Sequence, residues 1–337
     1  MSNSVIRISE QELFNELNRV LISLNFTQPK AETCAAIFTE NTVDGVFSHG
    51  ILRFPRFVSY IKKGYIDVQA EPTRIASLGA LEQWDGNLGP GPLNAKTATE
   101  RAMHLADEFG IGCVAMGNTN HWMRGGTYGW HAAHAGYAYM GWTNTEPNMP
   151  AWGARDSRLG NNPIVFALPY KDEAIVLDMA MTQFSYGKLE DYNVHGKELP
   201  LAGGFDRDGN LTKNPADILD TMRALSIGYW KGAGLSLLLD LMAGTLSGGD
   251  MTHEIRHREA EYGVSQLFMA FDLKSLTHSA VLATLTQQAI EFYKNSIPDD
   301  SDVEIRYPGE RILHTRNEHR AHGIPIAKTV WNQIRQL

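Results

Sequence analysis

Cysteine, positive charge and long apolar runs are all scarce in this sequence. Its only cysteines are Cys34 and Cys113, which excludes a disulfide framework or a cysteine-rich zinc or iron–sulfur site and indicates a reducing compartment such as the cytosol. With 30 basic against 38 acidic residues and a net charge of −8, the chain has no overall field that would attract nucleic acid or an acidic membrane. An anionic substrate would therefore need a local cationic clamp.

Membrane-spanning segments and the usual nucleotide motifs are missing as well. No window approaches the roughly 18 uninterrupted apolar residues that a bilayer span requires, and the N-terminus lacks the apolar core of a signal peptide. We therefore expect neither export nor membrane insertion. Neither G-x-G-x-x-G nor G-x-x-x-x-G-K-[ST] occurs, which disfavours an ordinary Rossmann dinucleotide site.

The patterns that are present predict a folded α/β chain of about two domains, possibly interleaved. The length of 337 residues and the 43% hydrophobic content support a large core. A capping box at Ser9 and Glu12 opens an amphipathic helix, and Asn94 is predicted to cap a later one. Further helices are predicted at 29–43, 94–109, 231–246 and 277–296, and strands at 111–116, 137–143, 163–168, 174–179 and 265–273. This alternation favours a mixed sheet covered by helices.

Two polar loops carry residue types suited to substrate chemistry. The first, Ser48–Arg53, follows the predicted second helix, and the second, Asn118–Gly126, is rich in glycine and aromatic residues. His49 can exchange a proton near neutral pH and Arg53 offers a bidentate fork, so the pair suits an acid and a clamp for a carboxylate. A capped turn with a surface arginine explains the first loop about equally well, and a structural role is also open for His121 in the second loop.

A zinc site is suggested by H-E-x-x-H at His253–His257, a pattern that places two imidazoles on one face of a helix in zinc proteases. Gly248 and Gly249 lie just upstream and leave little rigid helix before His253. The charged residues around His257 are typical of a solvated segment. These features disfavour a zinc hydrolase that uses His253 and His257, and we expect no metal.

Two glycine-containing segments have simple structural explanations. Gly228–Gly234 precedes an apolar helix, where free N–H groups and a lysine could receive a pyrophosphate, although such segments are commonly tight turns. Asp206–Asn210 resembles the start of a calcium loop, but Gly209 is misplaced for that loop and the distal glutamate is missing. A β-turn is therefore predicted at Asp206–Asn210.

Five short motifs together resemble the malate/L-lactate dehydrogenase-type family, which differs from the Rossmann lactate and malate dehydrogenases. The similarity extends nearly from the first helix to the C-terminus. The motifs are S-H-G-x-x-R at Ser48–Arg53, N-H-W-M-R-G-G at Asn120–Gly126, V-L-D-M at Val176–Met179, G-Y-W-K-G at Gly228–Gly232 and Y-P-G-E at Tyr307–Glu310.

The resemblance implies a cytosolic, homodimeric oxidoreductase with a non-Rossmann dinucleotide-binding fold of the L-sulfolactate/malate dehydrogenase-like type. It also implies NADH-dependent reduction of a small-molecule 2-oxo sugar acid, with hydride transfer to the C2 carbonyl. Residues 76–276 would form the NADH-binding α/β part. Residues 1–75 together with 277–337 would form a helical part that contributes to the substrate site and the dimer.

Roles for individual residues follow from the resemblance and from the chemistry of the reaction. His49 would be the proton donor, and His121 would orient the substrate or share proton transfer. Arg53 is the first candidate to bind the substrate carboxylate and Arg124 the second. Asp178 could accept hydrogen bonds from a ribose and would repel a 2′-phosphate, which favours NADH over NADPH. The residues expected to contact the dinucleotide are Ala174, Ile175, Val176, Leu177, Asp178, Met179, Ala180, Trp230, Lys231, Gly309, Glu310 and Arg311.

Other functions remain open at this stage. Members of the family share the reaction core, so another 2-hydroxy or 2-oxo acid, such as malate, lactate or ureidoglycolate, is an alternative substrate. Outside this class, a zinc hydrolase would contain bound metal and lose activity with a chelator. A non-catalytic sugar-acid sensor would bind its ligand without oxidising NADH.

Overall fold

The computed structural model describes residues 4–276, 279–300 and 303–337. Its helices are α1 (Glu10–Ser23), α2 (Gln28–Val43), α3 (Phe54–Lys62), α4 (Gly91–Phe109), α5 (Gly126–His134), α6 (Tyr186–Val194), α7 (Pro215–Thr221), α8 (Trp230–Ser247), α9 (Thr252–Ile255), α10 (Ser279–Lys294), α11 (Glu310–His322) and α12 (Lys328–Arg335). Its strands are β1 (Val5–Ile8), β2 (Thr73–Leu78), β3 (Leu81–Asp85), β4 (Ile111–Thr119), β5 (Tyr137–Thr143), β6 (Met149–Pro150), β7 (Ser157–Leu159), β8 (Ile164–Tyr170), β9 (Glu173–Met179), β10 (Gly204–Phe205), β11 (Leu211–Thr212), β12 (Val264–Asp272) and β13 (Ile324–Ala327).

A seven-stranded mixed sheet forms the centre of the molecule, which confirms the predicted fold class. The strand order is β2-β3-β4-β12-β5-β8-β9. Only the β3–β4 pair in this sheet, as described, is parallel. The late strand β12 lies between β4 and β5, where Phe268 pairs with both Val114 and Gly141. The outer strand β9 is one edge of the sheet.

Helices cover both faces of this sheet. On one face, α4 and α5 pack on the sheet through a buried cluster that includes Ala102, Trp122, Tyr128 and Phe268. On the other face, α8 packs on the sheet through a cluster that includes Leu239. The inner strands β4 and β12 are therefore buried along most of their length, as their continuous hydrophobicity indicates, whereas β8, nearer the edge, exposes Phe166 and Leu168.

The two ends of the chain meet in a separate, mainly helical core. Strand β1 pairs antiparallel with β13, from Val5 opposite Ala327 to Ile8 opposite Ile324. Around this ladder, the apolar stripe of α1 packs with residues of α2, α3 and α12 in one buried cluster. Ser9 caps α1 by accepting the Glu12 N–H at 3.1 Å, as predicted from the sequence. The predicted part boundary at 277, and the predicted start of a helix there, lie outside the described residues.

A smaller unit between β9 and α8 has its own apolar core. Leu189, Leu199, Ile218 and Ala224 are buried together. The predicted β-turn at Asp206–Asn210 joins β10 to β11 here, with the Gly209 N–H donating to the Asp206 carbonyl at 3.2 Å. This unit approaches the first polar loop, because a Cβ on Gly187 would lie 3.0 Å from Cβ of Ser48.

The prediction that Asn94 caps a helix is wrong. Helix α4 begins three residues earlier, at Gly91, with Pro90 in the cap position. Asn94 is buried, and its Nδ2 donates to the Gly86 carbonyl at 2.8 Å and to the Thr119 hydroxyl at 2.9 Å. A tertiary contact, rather than a helix end, therefore accounts for this asparagine. Within the described ranges, no helix combines the length and apolar character needed to cross a membrane.

Candidate active site

The tight turn after α2 places His49 at the surface of the helical core. The turn is a single 3-10 segment, Phe47–His49. It folds back so closely on α2 that a Cβ on Gly50 would lie 2.9 Å from the backbone nitrogen of Thr42. The Asn41 side-chain amide also donates to the His49 carbonyl at 3.0 Å. Glycine at this position therefore allows the close approach that holds the histidine in place.

Arg53 lies one helical turn further, at the start of α3. Its backbone carbonyl accepts the Phe57 N–H at 3.1 Å, so the arginine is anchored by the helix that follows it. The Ser48 hydroxyl lies 3.0 Å from Nδ1 of His49. The sequence motif S-H-G-x-x-R thus provides a hydroxyl–imidazole contact and a guanidinium on one short, rigid segment.

The second polar loop brings His121 against His49. The two imidazole rings are stacked with centroids 5.7 Å apart and planes inclined by 26°. The Met123 N–H donates to Nδ1 of His121 at 3.0 Å, which leaves the proton of the neutral ring on Nε2. Met123 has a positive φ of 68°, which turns the loop back toward its own histidine. The structure therefore brings together His49, Arg53 and His121.

Glu261, three residues before β12, also lies in this cluster, although none of the sequence motifs includes it. It is buried, with 7% of its surface exposed. Its Oε1 lies 3.7 Å from Nη2 of Arg53 and 3.9 Å from Nε2 of His121. Its sequence signal is weak, because an acidic residue shortly before a buried strand is common on protein surfaces.

The electrostatics of the cluster lower the pKa of both histidines and so favour their neutral forms. Burial, with the positive charges of Arg53 and Arg124, lowers the pKa of His49 to about 4. Burial and the charge of Arg53 also hold the pKa of His121 well below its ordinary value. Protonation of His49 would therefore require a change in the surrounding charge, such as a bound anion.

Arg124, the second candidate for the substrate carboxylate, is buried and paired inside the protein. Its Nη1 donates to Oδ2 of Asp44. The same carboxylate accepts from Nε of Arg316 at 2.7 Å and from Nη2 at 3.0 Å. The close pairing with Asp44 favours Arg53 over Arg124 as the group that would bind a substrate carboxylate.

The segments expected to contact the dinucleotide adjoin one another along β9. The Val176 N–H donates to the Pro308 carbonyl at 3.1 Å, which places Gly309, Glu310 and Arg311 beside β9. Beyond the strand, the Ile227 N–H donates to the Met181 carbonyl at 2.9 Å, shortly before Trp230 and Lys231 at the start of α8. Thus three segments distant in sequence share one edge of the sheet.

Several features of this edge fit a dinucleotide. A Cβ on Gly309, which has a φ of +93°, would lie 3.2 Å from the Val176 nitrogen. Tyr229 adopts a φ of 61° and a ψ of −119°, a strained conformation of a kind that clusters at functional sites. Trp230 is 64% exposed beside the exposed Lys231. An exposed ring and a cation at a helix start suit a base and a phosphate.

Asp178 connects this edge to the end of the second polar loop. Its Oδ2 accepts the Gly126 N–H at 2.7 Å, at the N-terminus of α5. Loss of hydration raises the pKa of this carboxyl, while the charge of Arg124 and the Gly126 hydrogen bond lower it. Asp178 therefore has a structural contact in addition to the ribose contact predicted for it.

The H-E-x-x-H segment lacks the helix that a zinc-protease motif requires. Helix α9 contains His253 but ends at Ile255, so His257 follows outside it. Both imidazoles are exposed. The described residues contain no group of three potential histidine, cysteine or carboxylate ligands arranged to hold a metal ion. The segment instead leads into the chain that carries Glu261.

The chain as a whole is similar to several known proteins. The family described as malate/L-lactate dehydrogenase matches residues 8–335. Proteins named 2,3-diketo-L-gulonate reductase from Pasteurella multocida and Salmonella heidelberg are 43% and 44% identical over 98% of this chain and the full length of each relative. The malate dehydrogenase structure from Pyrococcus horikoshii superposes with a TM-score of 0.89 at 28% identity, covering 100% of this chain and 96% of its own. The protein is thus an oxidoreductase with a nicotinamide cofactor, and it belongs to the malate/L-lactate dehydrogenase family.

Proposed function

We propose that this enzyme reduces 2,3-diketo-L-gulonate to 3-dehydro-L-gulonate at the C2 carbonyl, with NADH as the reductant. The full-length relatives of that name at 43–44% identity support the substrate. The observation that carries the reaction type is the convergence of two stacked imidazoles and the Arg53 guanidinium in one partly exposed cluster. These groups supply a proton donor and a carboxylate clamp side by side.

Arg53 would bind the substrate carboxylate. Its side chain is 22% exposed, and the contact with Glu261 at 3.7 Å is longer than a hydrogen bond. Guanidinium donors therefore remain available for the two oxygens of a carboxylate. Binding through a planar fork would also set the angle of the adjacent C2 carbonyl, which hydride transfer requires.

His49 would donate the proton to the C2 oxygen. A bound substrate carboxylate would offset the charge of Arg53 and thereby raise the pKa of His49 from about 4 toward the range where it can carry a proton. In the neutral state, the Ser48 hydroxyl would donate to Nδ1 and keep the single ring proton on Nε2. A positioned acid of this kind contributes roughly 10²–10⁴-fold to the rate.

The β9 edge would hold the cofactor through backbone contacts at 174–180 and 309–311 and through Trp230 and Lys231. When bound, the reduced nicotinamide supplies the hydride. The Asp178 carboxylate would repel a 2′-phosphate, which supports NADH over NADPH. In this arrangement, the α/β part at 76–276 provides β9, and the helical part at 1–75 and 277–337 provides His49, Arg53 and the 309–311 segment.

The direct test is NADH oxidation with a panel of 2,3-diketo-L-gulonate, oxaloacetate, pyruvate and an oxidised ureidoglycolate, without added metal. We expect the highest kcat/KM for 2,3-diketo-L-gulonate and a lower kcat/KM when NADPH replaces NADH. Higher kcat/KM for oxaloacetate or pyruvate would reassign the substrate. Binding of the sugar acid without NADH oxidation would instead indicate a sensor.

We further propose that a second copy of this chain covers α8 in a homodimer. Leu235, Leu238 and Met242 are exposed along one face of α8, and Leu238 alone is 56% exposed. Contiguous apolar faces of this kind mark protein interfaces, and the same helix carries Trp230 of the proposed cofactor site. We expect Leu238→Asp to convert a dimer into a monomer in sedimentation. A monomeric wild-type protein at micromolar concentration would contradict the proposed dimer.

A cytoplasmic location is proposed with the enzyme, because Cys34 and Cys113 are both free thiols. Free thiols persist in reducing compartments and tend to pair in oxidising ones. Fractionation of the source cells should recover the enzyme with cytosolic markers. Recovery with exported proteins would overturn the location without affecting the reaction.

A further inference from the structure

Glu261 is a buried carboxylate next to two of the proposed site residues. One oxygen, Oε1, lies 3.7 Å from Nη2 of Arg53 and 3.9 Å from Nε2 of His121. The other oxygen, Oε2, accepts the Glu146 backbone N–H at 3.1 Å. One backbone hydrogen bond therefore anchors the carboxylate, and the Arg53 guanidinium and the His121 imidazole lie beside its other oxygen.

The chain that carries Glu261 is clamped to the end of α3. The Tyr262 ring stacks on the Tyr65 ring, with centroids 4.8 Å apart and planes within 8° of parallel. The Tyr65 hydroxyl donates to Glu259 at 2.8 Å. On the Tyr262 ring, the Arg258 guanidinium carbon lies 4.8 Å from the centroid. These contacts fix the backbone on both sides of Glu261 against the same segment that begins with Arg53.

Burying a carboxylate costs stability unless a nearby positive charge or hydrogen-bond donor compensates for it. Burial raises the pKa of Glu261, and the positive charge of Arg53 opposes that shift. Conversely, burial lowers the pKa of Arg53 and the charge of Glu261 raises it. A buried charge normally requires a partner at hydrogen-bond distance. Here the partner is 3.7 Å away, which stabilises the guanidinium without occupying its donors fully.

We propose that Glu261 is a positioning residue that orients the Arg53 guanidinium toward the substrate carboxylate. This proposal rests on the proposed function of Arg53. Glu261 attracts one edge of the planar fork, and the hydrogen bond from the Glu146 N–H prevents the carboxylate from turning away. The other donors of Arg53 then face the substrate without the loss of side-chain freedom that a mobile arginine would suffer on binding.

The test compares Glu261→Gln with the control Glu108→Gln, which removes an exposed carboxylate from α4, outside this loop. We expect Glu261→Gln to raise KM for the oxo acid about tenfold, as for loss of a charge-assisted contact, with a smaller change in kcat. NADH affinity and the thermal midpoint should stay near wild type. Glu261→Asp, which keeps the charge, should recover part of the loss, and Glu108→Gln should resemble wild type.

A double-mutant cycle with Arg53→Lys separates positioning from a general structural effect. If Glu261 acts through Arg53, Glu261→Gln should change KM less than about twofold in the Arg53→Lys background. Equal effects in both backgrounds, or unchanged kinetics in Glu261→Gln, would overturn the proposal. A wild-type protein without NADH-dependent turnover would instead overturn the proposed function, so the two failures are distinguishable.

Discussion

The two arginines whose charges lower the pKa of His49 are held in opposite ways. Arg124 belongs to a buried triad with Asp44 and Arg316, in which all the side chains are at most 15% exposed and directly hydrogen-bonded. Arg53 belongs to an open pair with Glu261, in which the arginine side chain is 22% exposed and 3.7 Å from its partner.

This difference separates a structural cation from one available to a ligand. The buried triad links α2, the second polar loop and α11, so its charges satisfy one another across three segments. The open pair leaves donors free at the surface of the site. Arg53 and Arg124 carry the same charge beside the same histidine. Their charge alone therefore does not indicate which of them binds a ligand, whereas their pairing geometry does.

The charges of Arg53 and Arg124 both lower the pKa of His49. Removal of this histidine should have the largest effect on catalysis. We expect His49→Asn to lower kcat by about two to four orders of magnitude, as for loss of a general acid. Because the variant leaves the buried triad and the open pair in place, NADH affinity and the thermal midpoint should hold. Steady-state kinetics and calorimetry check both statements.

The matched control for His49→Asn is His253→Asn, which removes an exposed imidazole outside the cluster. The His253→Asn variant should have the same kcat as wild type, with or without a chelator. Near-wild-type turnover in His49→Asn would indicate that His121, rather than His49, donates the proton. Loss of activity in His253→Asn would revive the zinc hypothesis.

Breaking the buried triad should affect stability before catalysis. Asp44→Asn leaves two guanidinium groups without their carboxylate, and the loss of one partner from a buried ion pair typically costs about 3–5 kcal/mol. Urea denaturation should show this loss. Asp220→Asn, which breaks the exposed Arg207–Asp220 pair, should leave the midpoint unchanged. An Asp44→Asn protein of wild-type stability with a raised KM would place Arg124 in the substrate site.

Local signals explain which parts of the fold could be predicted from the sequence. The cap at Ser9 and the short apolar runs depend on neighbouring residues, so α1 and the central strands are recognisable. The strand order depends on contacts such as Gln266 with Met116 and Thr143, which no local pattern encodes. The prediction for Asn94 fails for the same reason, because its partner Thr119 is 25 residues away.

The same distinction between local sequence signals and tertiary contacts applies to the site residues. His49, Arg53 and His121 lie in compact loops whose residue types already indicate proton transfer and carboxylate binding. Glu261 enters only through tertiary packing of the chain before β12 against α3. The partnership of Arg124 with Asp44, 80 positions earlier, likewise needed the structure to separate it from the role of Arg53.

Within the open pair, replacing the guanidinium should weaken substrate binding more than it slows turnover. Arg53→Lys keeps the charge but loses the planar fork, so KM for the oxo acid should rise about tenfold and kcat should fall less. NADH affinity and stability should match wild type, in contrast to Asp44→Asn. Initial rates over both substrates distinguish the cases. Weaker NADH binding at an unchanged oxo-acid KM would assign Arg53 to the cofactor site.

The smallest expected effect is a change in the pKa of His49, which reports directly on the charge of Arg53 in the open pair. Arg53 disfavours the protonated imidazole, so Arg53→Gln should raise the pKa of His49 above the value of about 4. The pKa should remain below its ordinary value of 6.5, because burial is the larger cause of the shift and is retained. Imidazole resonances in histidine-labelled protein, followed by NMR against pH, report this change, and Arg207→Gln at an exposed site should show none. An unchanged pKa in Arg53→Gln would mean that the charge of Arg53 does not reach His49, and the proposed coupling between carboxylate binding and proton donation would fail.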